Sequence, residues 1–362
     1  RYFLEQCVLS VQKALEGIDG EIIVIDNASS DDSCKMMKAK FPHIKLIENK
    51  DNLGFPKGNN IGVAQAKGEY ICILNPDTVV SEDTFSKVLN SQLVTHNSQL
   101  GIIGCKLIDG AGNFLPESKR GVPTPWVAFT KIFGLYKISN YFGKYYAQHL
   151  SENESGKVDI LVGAFMVMKR ELYLQVGGFD ENCFMYSDDI DLSYLVLKTG
   201  KSNYYFHETS VIHYKGESTV RDGTYMKRFR EAMQFFYKKH FKKSWFFDVM
   251  MQVGSFVFSL LKKNQQKNEV RTIDEYVVFS KGNLELNLSK KATYLSDFNQ
   301  FVGQPQKNIE IIFDTTTFSF TEIITFMQLN KSKNLSFKNY ISSSNYLIGS
   351  NNSNDRGQII LL

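Results

Sequence analysis

GEYICILNPDTVV, residues 68–80, is the stretch on which the fold of this chain turns. Between Tyr70 and Leu74 apolar side chains fill both alternating sets of positions. Neither face is left for water, the mark of a strand buried on both sides of a sheet. Pro76 cannot donate to a ladder, so the strand stops, and Asp77 is left just beyond its end. That edge is where open α/β sheets bind their ligands, and a carboxylate there suits a hard divalent cation clamped on phosphate oxygens. Taken alone, Asn-Pro-Asp is equally a plain turn.

Outward from this strand, Glu21–Ile25, Ile44–Ile47 and Gly101–Gly104 repeat the pattern, with helical spacing between them. The alternation predicts an α/β domain with a parallel sheet. A helical pattern over residues 2–16 calls for a strand before it, so the first strand is expected to lie ahead of Arg1. From Gly110 to Pro125, glycines and prolines predict a long functional loop. Order returns from Leu161 to Tyr214, with a helix opening near Asp188 and strands at 204–206 and 211–213. Beyond the polar run 262–268, Tyr276–Phe279, Ile309–Phe313 and Gln358–Leu362 read as strands and Phe318–Leu329 as a helix, a second and smaller α/β unit. The expected divisions are 1–240, 241–269 and 270–362.

The 362 residues are 43% hydrophobic, which excludes a disordered or collagen-like chain and exceeds what one core usually fills. A net charge of +4 on this length gives no ground for nucleic-acid binding. Five cysteines without a C-x-x-C pair read as reduced, mostly buried thiols, and no apolar leader opens the chain, so a cytoplasmic protein is expected.

Three further segments place polar groups where strands end. Asp26 and Asn27 close the run 21–25; a carboxylate there can accept from a base or ribose, and the cluster that follows can equally cap a helix. Asn52, Gly54 and Asn60 lie in a loop feeding a helix, whose free N–H groups could face a phosphate or simply turn the chain. Asp188, Asp189 and Asp191 crowd a helix N-terminus, where the macrodipole favours them, and one of them is placed to act as a general base. His213 ends an apolar run; it is either structural or one half of a carboxylate and imidazole pair holding a divalent ion.

In order and spacing, the stretches 23–33 (IVIDNASSDDS), 48–62 (ENKDNLGFPKGNNIG), 68–80, 163–172 (GAFMVMKREL), 176–192 (VGGFDENCFMYSDDIDL) and 211–219 (VIHYKGEST) resemble the family 2 inverting glycosyltransferases, in particular the rhamnosyltransferase-like bacterial branch. The resemblance spans roughly residues 1–240. It implies a glycosyltransferase A (Rossmann-like) nucleotide-sugar domain lacking its first strand, a nucleoside-diphosphate sugar donor, and a glycan or lipid-linked acceptor in cell-surface polysaccharide synthesis. By the same resemblance, Asp26 and Asn27 contact the nucleoside, and Asn52, Gly54 and Asn60 line its site. Asn75-Pro76-Asp77 stands for the D-x-D motif, so Asp77 and His213 hold Mg²⁺ or Mn²⁺. Asp189 is the catalytic base, with Asp188 beside it on the substrate side. Two departures accompany the match: Asp188 replaces the usual Glu, and Leu195 stands where relatives often carry Arg. The alternatives are a nucleotidyltransferase on a similar sheet, which would release pyrophosphate, and a non-catalytic membrane-associated binding protein.

Lysines flank the apolar stretch 245–261, whose polar residues recur at helical spacing. It is shorter than a comfortable span, so a helix lying on an anionic membrane is expected, with a core or dimer-interface helix as the other reading. With a lipid-linked acceptor, the expected location is the inner face of the plasma membrane.

Overall fold

The computed structural model describes residues 1–124, 126, 127, 130, 134–183, 187–215, 223–241, 272–303, 306–351 and 357–362. The N-terminal part runs α1 (Tyr2–Ala14), β1 (Ile23–Asn27), α2 (Ser33–Lys40), β2 (Lys45–Asn49), α3 (Gly54–Gln65), β3 (Tyr70–Leu74), β4 (Thr78–Val80), α4 (Thr84–Leu89), α5 (Gln92–Thr95), β5 (Leu100–Ile108), β6 (Gly156–Val158), β7 (Phe165–Lys169), α6 (Arg170–Gln175), α7 (Asp188–Lys198), β8 (Ser202–His213) and α8 (Gly223–His240). The C-terminal part adds β9 (Glu275–Phe279), β10 (Ala292–Leu295), β11 (Ile309–Asp314), α9 (Phe320–Leu329), β12 (Leu335–Ile341), β13 (Tyr346–Gly349) and β14 (Gln358–Leu361).

The expectation of one parallel sheet needs correction. β1 and β2 form a parallel pair of their own, while the main sheet has the order β3-β7-β5-β8-β4, with β6 added on β8. In it β3 and β5 both run antiparallel to β7, β5 runs parallel to β8, and β4 returns antiparallel to β8. Burial on both faces is what a continuous apolar run reports, and every residue of β5 is buried; strand direction leaves no such trace in the sequence. The two short runs expected at 204–206 and 211–213 are one twelve-residue strand, β8. Helix α1 ties the pair to the main sheet: Val8 packs with Met36, Met37 and Ile44, while Cys7, Val11 and Ala14 pack with Val80, Leu107 and Phe165.

The C-terminal sheet, in the order β10-β9-β11-β12-β13-β14, is parallel through β12 and antiparallel beyond it. It is not a bead on a string. Val79, Ile108 and Ile212 of the first sheet share one apolar core with Phe279, Phe313, Phe320 and Phe337 of the second. Glu82 receives the N–H groups of Phe320 and Thr321 at 2.8 Å each, placing a carboxylate on the positive end of α9. The apolar stretch 245–261, the linker and the motif 216–219 lie outside the described residues. Among those described, no helix is long and apolar enough to cross a membrane.

Candidate functional site

Two short connections build one end of the site. β3 ends at Leu74, the chain turns through Asn75-Pro76-Asp77, and β4 pairs with β8 so that Thr78 lies opposite His213. Thr78 Oγ1 donates to the Asn75 carbonyl at 2.7 Å, and the Tyr214 N–H donates to the Asp77 carbonyl at 3.0 Å, which fixes the turn. His213 Nε2 consequently lies 3.4 Å from Asp77 Oδ1 and 3.4 Å from Asn75 Nδ2. Two donors on adjacent corners of an octahedral Mg²⁺ or Mn²⁺ stand roughly 3 Å apart, so the spacing fits a shared cation. The His213 Nδ1 is buried and makes no hydrogen bond among the described residues. No cluster of three His, Cys, Asp or Glu side chains suited to a metal occurs among the described residues. A cation held by this pair alone would take its remaining ligands from phosphate oxygens and water.

The other end is built on the first turn of α7. Asp189 Oδ2 accepts from Arg120 Nη2 at 2.5 Å and from the Gly163 N–H at 3.2 Å. Its second oxygen, Oδ1, is buried without a hydrogen-bond partner. Arg120 is itself held by the Leu161 carbonyl at 3.1 Å and by backbone pairing with Ile160. Burial works against its charge, but Asp189 beside it more than compensates and holds the guanidinium well above its usual pKa. Asp188 is moved the other way: burial first, then the charge of Asp189, pushes its carboxyl up to about 7. Asp191, fully buried, binds Lys239 Nζ at 2.8 Å and His240 Nε2 at 2.5 Å, pinning α8 to α7.

The expected nucleoside residues form a third group at the ends of β1 and β2. Asp26 Oδ2 accepts from the Ser29 N–H at 3.0 Å. Asn27 accepts from Asn49 at 2.9 Å and donates to the Gly54 carbonyl at 3.0 Å, while Asn52 Oδ1 accepts from the Gly54 N–H at 3.1 Å. Gly54 has φ of +81°, a conformation that opens α3 at little cost only without a Cβ. Asn60 faces elsewhere. It receives the Tyr173 hydroxyl at 2.6 Å and the Phe179 N–H at 3.1 Å, and donates to Phe179 and Glu181, so all of these bonds are internal. Gly178 sits inside this bracket with φ of +67°, and a Cβ there would come within 2.6 Å of Asn60 Oδ1. Leu195 lines a cavity of about 340 Å³ with Asn60, Asp180, Glu181 and Lys239; neither Asp77, Asp189 nor His213 borders it.

Arg120, Gly163, Asn49 and the half-buried Lys215–Glu117 ion pair near His213 in the chain were not foreseen. Arg120 could have been singled out as a cation beside Gly121 within the loop read as functional. Lys215, at φ of +54°, and Gly163 carry no sequence signal of their own.

The description "Glycosyl transferase family 2" belongs to a family model that matches residues 2–177. An N-acetylglucosaminyl-diphospho-decaprenol L-rhamnosyltransferase of Mycobacterium tuberculosis is 26% identical over 230 residues, covering 60% of this chain and 74% of the relative. The minor teichoic acid biosynthesis protein GgaB of Bacillus subtilis is 23% identical over 269 residues, 73% of this chain but only 26% of that protein. Among solved structures, the mannosyltransferase PcManGT of Pyrobaculum calidifontis, in complex with GDP-Man and Mn²⁺, gives a TM-score of 0.44 at 17% identity, over 70% of this chain and 66% of that one.

Proposed function

We propose that this chain, whose residues 2–177 match the model described as glycosyl transferase family 2, is a glycosyltransferase that moves a hexose or deoxyhexose, with inversion, from a nucleoside-diphosphate sugar to a hydroxyl of a lipid-linked or glycan acceptor in cell-surface polysaccharide synthesis. The observation that carries the mechanism is the asymmetry of Asp189. Arg120 and the Gly163 N–H hold one oxygen, so the rotamer is fixed. The other oxygen is desolvated and has a lone pair to spare for an acceptor hydroxyl. Asp189 takes that proton as the hydroxyl oxygen attacks the anomeric carbon, and the bond to the diphosphate breaks on the opposite face. A single base and a direct displacement invert the configuration.

Asp77 and His213 would hold Mg²⁺ or Mn²⁺, with Asn75 turned toward the same point. Once bound, the cation neutralises negative charge on the leaving diphosphate. Asp26 and Asn27 are assigned to the nucleoside, with Asn52 and Gly54 shaping the loop beside them; Asp188 lies on the substrate side of the base. The lipid-linked acceptor is supported by the name of the mycobacterial relative, and the polymer context by that of the Bacillus relative. Working on such an acceptor, the protein would sit on the inner face of the plasma membrane. Incubation with a panel of nucleotide sugars, Mn²⁺ and a synthetic lipid-linked sugar tests the assignment. The expected products are a nucleoside diphosphate and a glycoside of inverted anomeric configuration by NMR. Pyrophosphate as product, or retained configuration, would reject it.

A further inference from the structure

The connection from β5 to β6 has a composition unlike the rest of the chain. From Ser118 through Ser151 it contains no acidic residue, yet it carries Lys119, Arg120, Lys131, Lys137 and Lys144. Among the described residues, three of the nine large apolar side chains left exposed lie within it: Trp126 at 56%, Ile138 at 77% and Tyr141 at 73%. They are not scattered. The rings of Trp126 and Tyr141 both meet Phe142, with centroids 6.3 and 5.3 Å apart, and Ile138 precedes Tyr141 by three residues. Lys137 and Lys144 are exposed beside them. Thr130 anchors the loop from beneath, donating to the Phe142 carbonyl at 3.2 Å, so the aromatic groups face outward from a tied-down base.

We propose that this Trp126, Ile138, Tyr141 and Phe142 patch, ringed by lysines, docks the protein on an anionic lipid surface. Amphipathic aromatic rings settle at the headgroup level of a bilayer, and neighbouring lysines add attraction to anionic lipid. A second copy of the chain is a poorer occupant, because a two-fold contact would bring two segments together whose own charged residues, from Ser118 to Ser151, are all basic. The patch is also well placed for the chemistry. Arg120, which clamps Asp189, opens the loop, and the next residue, Gly121, donates its N–H to the carbonyl of buried Tyr145 at 3.2 Å. A sugar carried on a lipid headgroup would thus reach the site from the surface on which the enzyme rests. That last step depends on the proposed acceptor; the docking itself does not.

These 362 residues hold two tryptophans, so Trp245→Phe leaves Trp126 as their sole indole reporter. With vesicles of equimolar phosphatidylcholine and phosphatidylglycerol, its emission should shift to the blue and be quenched by brominated acyl chains. Phosphatidylcholine alone should give a smaller effect. The combined variant Trp126→Ser, Ile138→Ser, Tyr141→Ser should keep its thermal melt and lose about tenfold or more in vesicle affinity. Lys137→Glu with Lys144→Glu should remove the preference for anionic lipid. Vesicle binding with unmoved Trp126 emission would overturn the proposal by placing attachment elsewhere, as at 245–261. So would self-association that the triple serine variant abolishes, which would make the patch an interface between copies. Asp189→Asn should bind vesicles like the parent, so a failure of the catalytic assignment leaves this result standing.

Discussion

Asp189, on the first turn of α7, and Asp314, the last residue of β11, are two acids with opposite fates. Asp314 closes β11, a central strand of the C-terminal sheet, and the Asp-Thr-Thr-Thr that follows is as inviting a ligand loop as Asn75-Pro76-Asp77 after β3. The structure saturates it. Asp314 accepts from Ser280 at 2.7 Å, from the Thr316 N–H at 3.1 Å and hydroxyl at 2.6 Å, and from the Thr317 hydroxyl at 3.2 Å. Both of its oxygens are spent holding the turn. Asp189 has one oxygen bound by Arg120 and Gly163 and keeps the other, although it too is buried. A buried carboxylate becomes chemically useful through its leftover valence, and its place in the fold alone does not supply that.

The contrast can be broken most forcefully by removing the charge at each acid. Asp189→Asn should lower the transfer rate by roughly 10³-fold or more, at the upper range for loss of a general base, whereas Asp314→Asn should leave turnover within about twofold and act on stability alone. Next in size, Asp77→Ala should weaken donor binding measured with Mn²⁺ by roughly 100-fold and leave metal-free binding little changed, since it removes a ligand and not the base. Arg120→Gln should reduce kcat by roughly tenfold or more with KM nearly unchanged, because it frees the rotamer of Asp189 and leaves the donor site intact. Arg120→Lys should restore part of the rate. Leaving Asp189 buried without its partner should also lower Tm, by an amount corresponding to about 3 kcal/mol.

The smallest effects concern stability. The carboxyl of Asp188 is raised to about 7 in the fold, by burial and then by Asp189. An unfolded Asp titrates near ~3.9, so between these values the folded state holds the extra proton and stability falls as pH rises. The cost is complete above about 7. Asp188→Asn should therefore raise Tm more at pH 8 than at pH 5, which differential scanning calorimetry would read directly. For Asp314→Asn, the lost bonds should cost about 1–3 kcal/mol in denaturant titrations.

The sequence was legible where chemistry and secondary structure coincide. β3 is an apolar run stopped by a proline, so the place of Asp77 could be read from local rules, and three acids at the start of α7 announce their helix. The pairing of Asp77 with His213 required β4 to run back along β8, a relation between residues 131 to 135 apart that periodicity does not carry. The bond of Arg120 to Asp189 was out of reach for the same reason: it spans 69 positions from an irregular loop. Asn60 shows the converse. Its place in a motif suggested a ligand contact, while its bonds to Tyr173, Phe179 and Glu181 use it as a bracket between α3 and the turn after α6. In the C-terminal unit, β9 and β11 were legible from short, largely apolar runs and α9 from apolar residues at helical spacing. β12 was not, because Ser336, Lys338 and Asn339 interrupt it, and these polar side chains are buried in the fold.

The central claim is that Asp189 acts on the acceptor proton and not on the donor. Isothermal titration of a nucleotide-sugar donor with Mn²⁺ into Asp189→Asn, run beside a transfer assay on the same preparation, tests it most directly. The account predicts donor affinity within about twofold of the parent while transfer is lost. A variant that still transfers at the parental rate, or one that no longer binds donor, would contradict it.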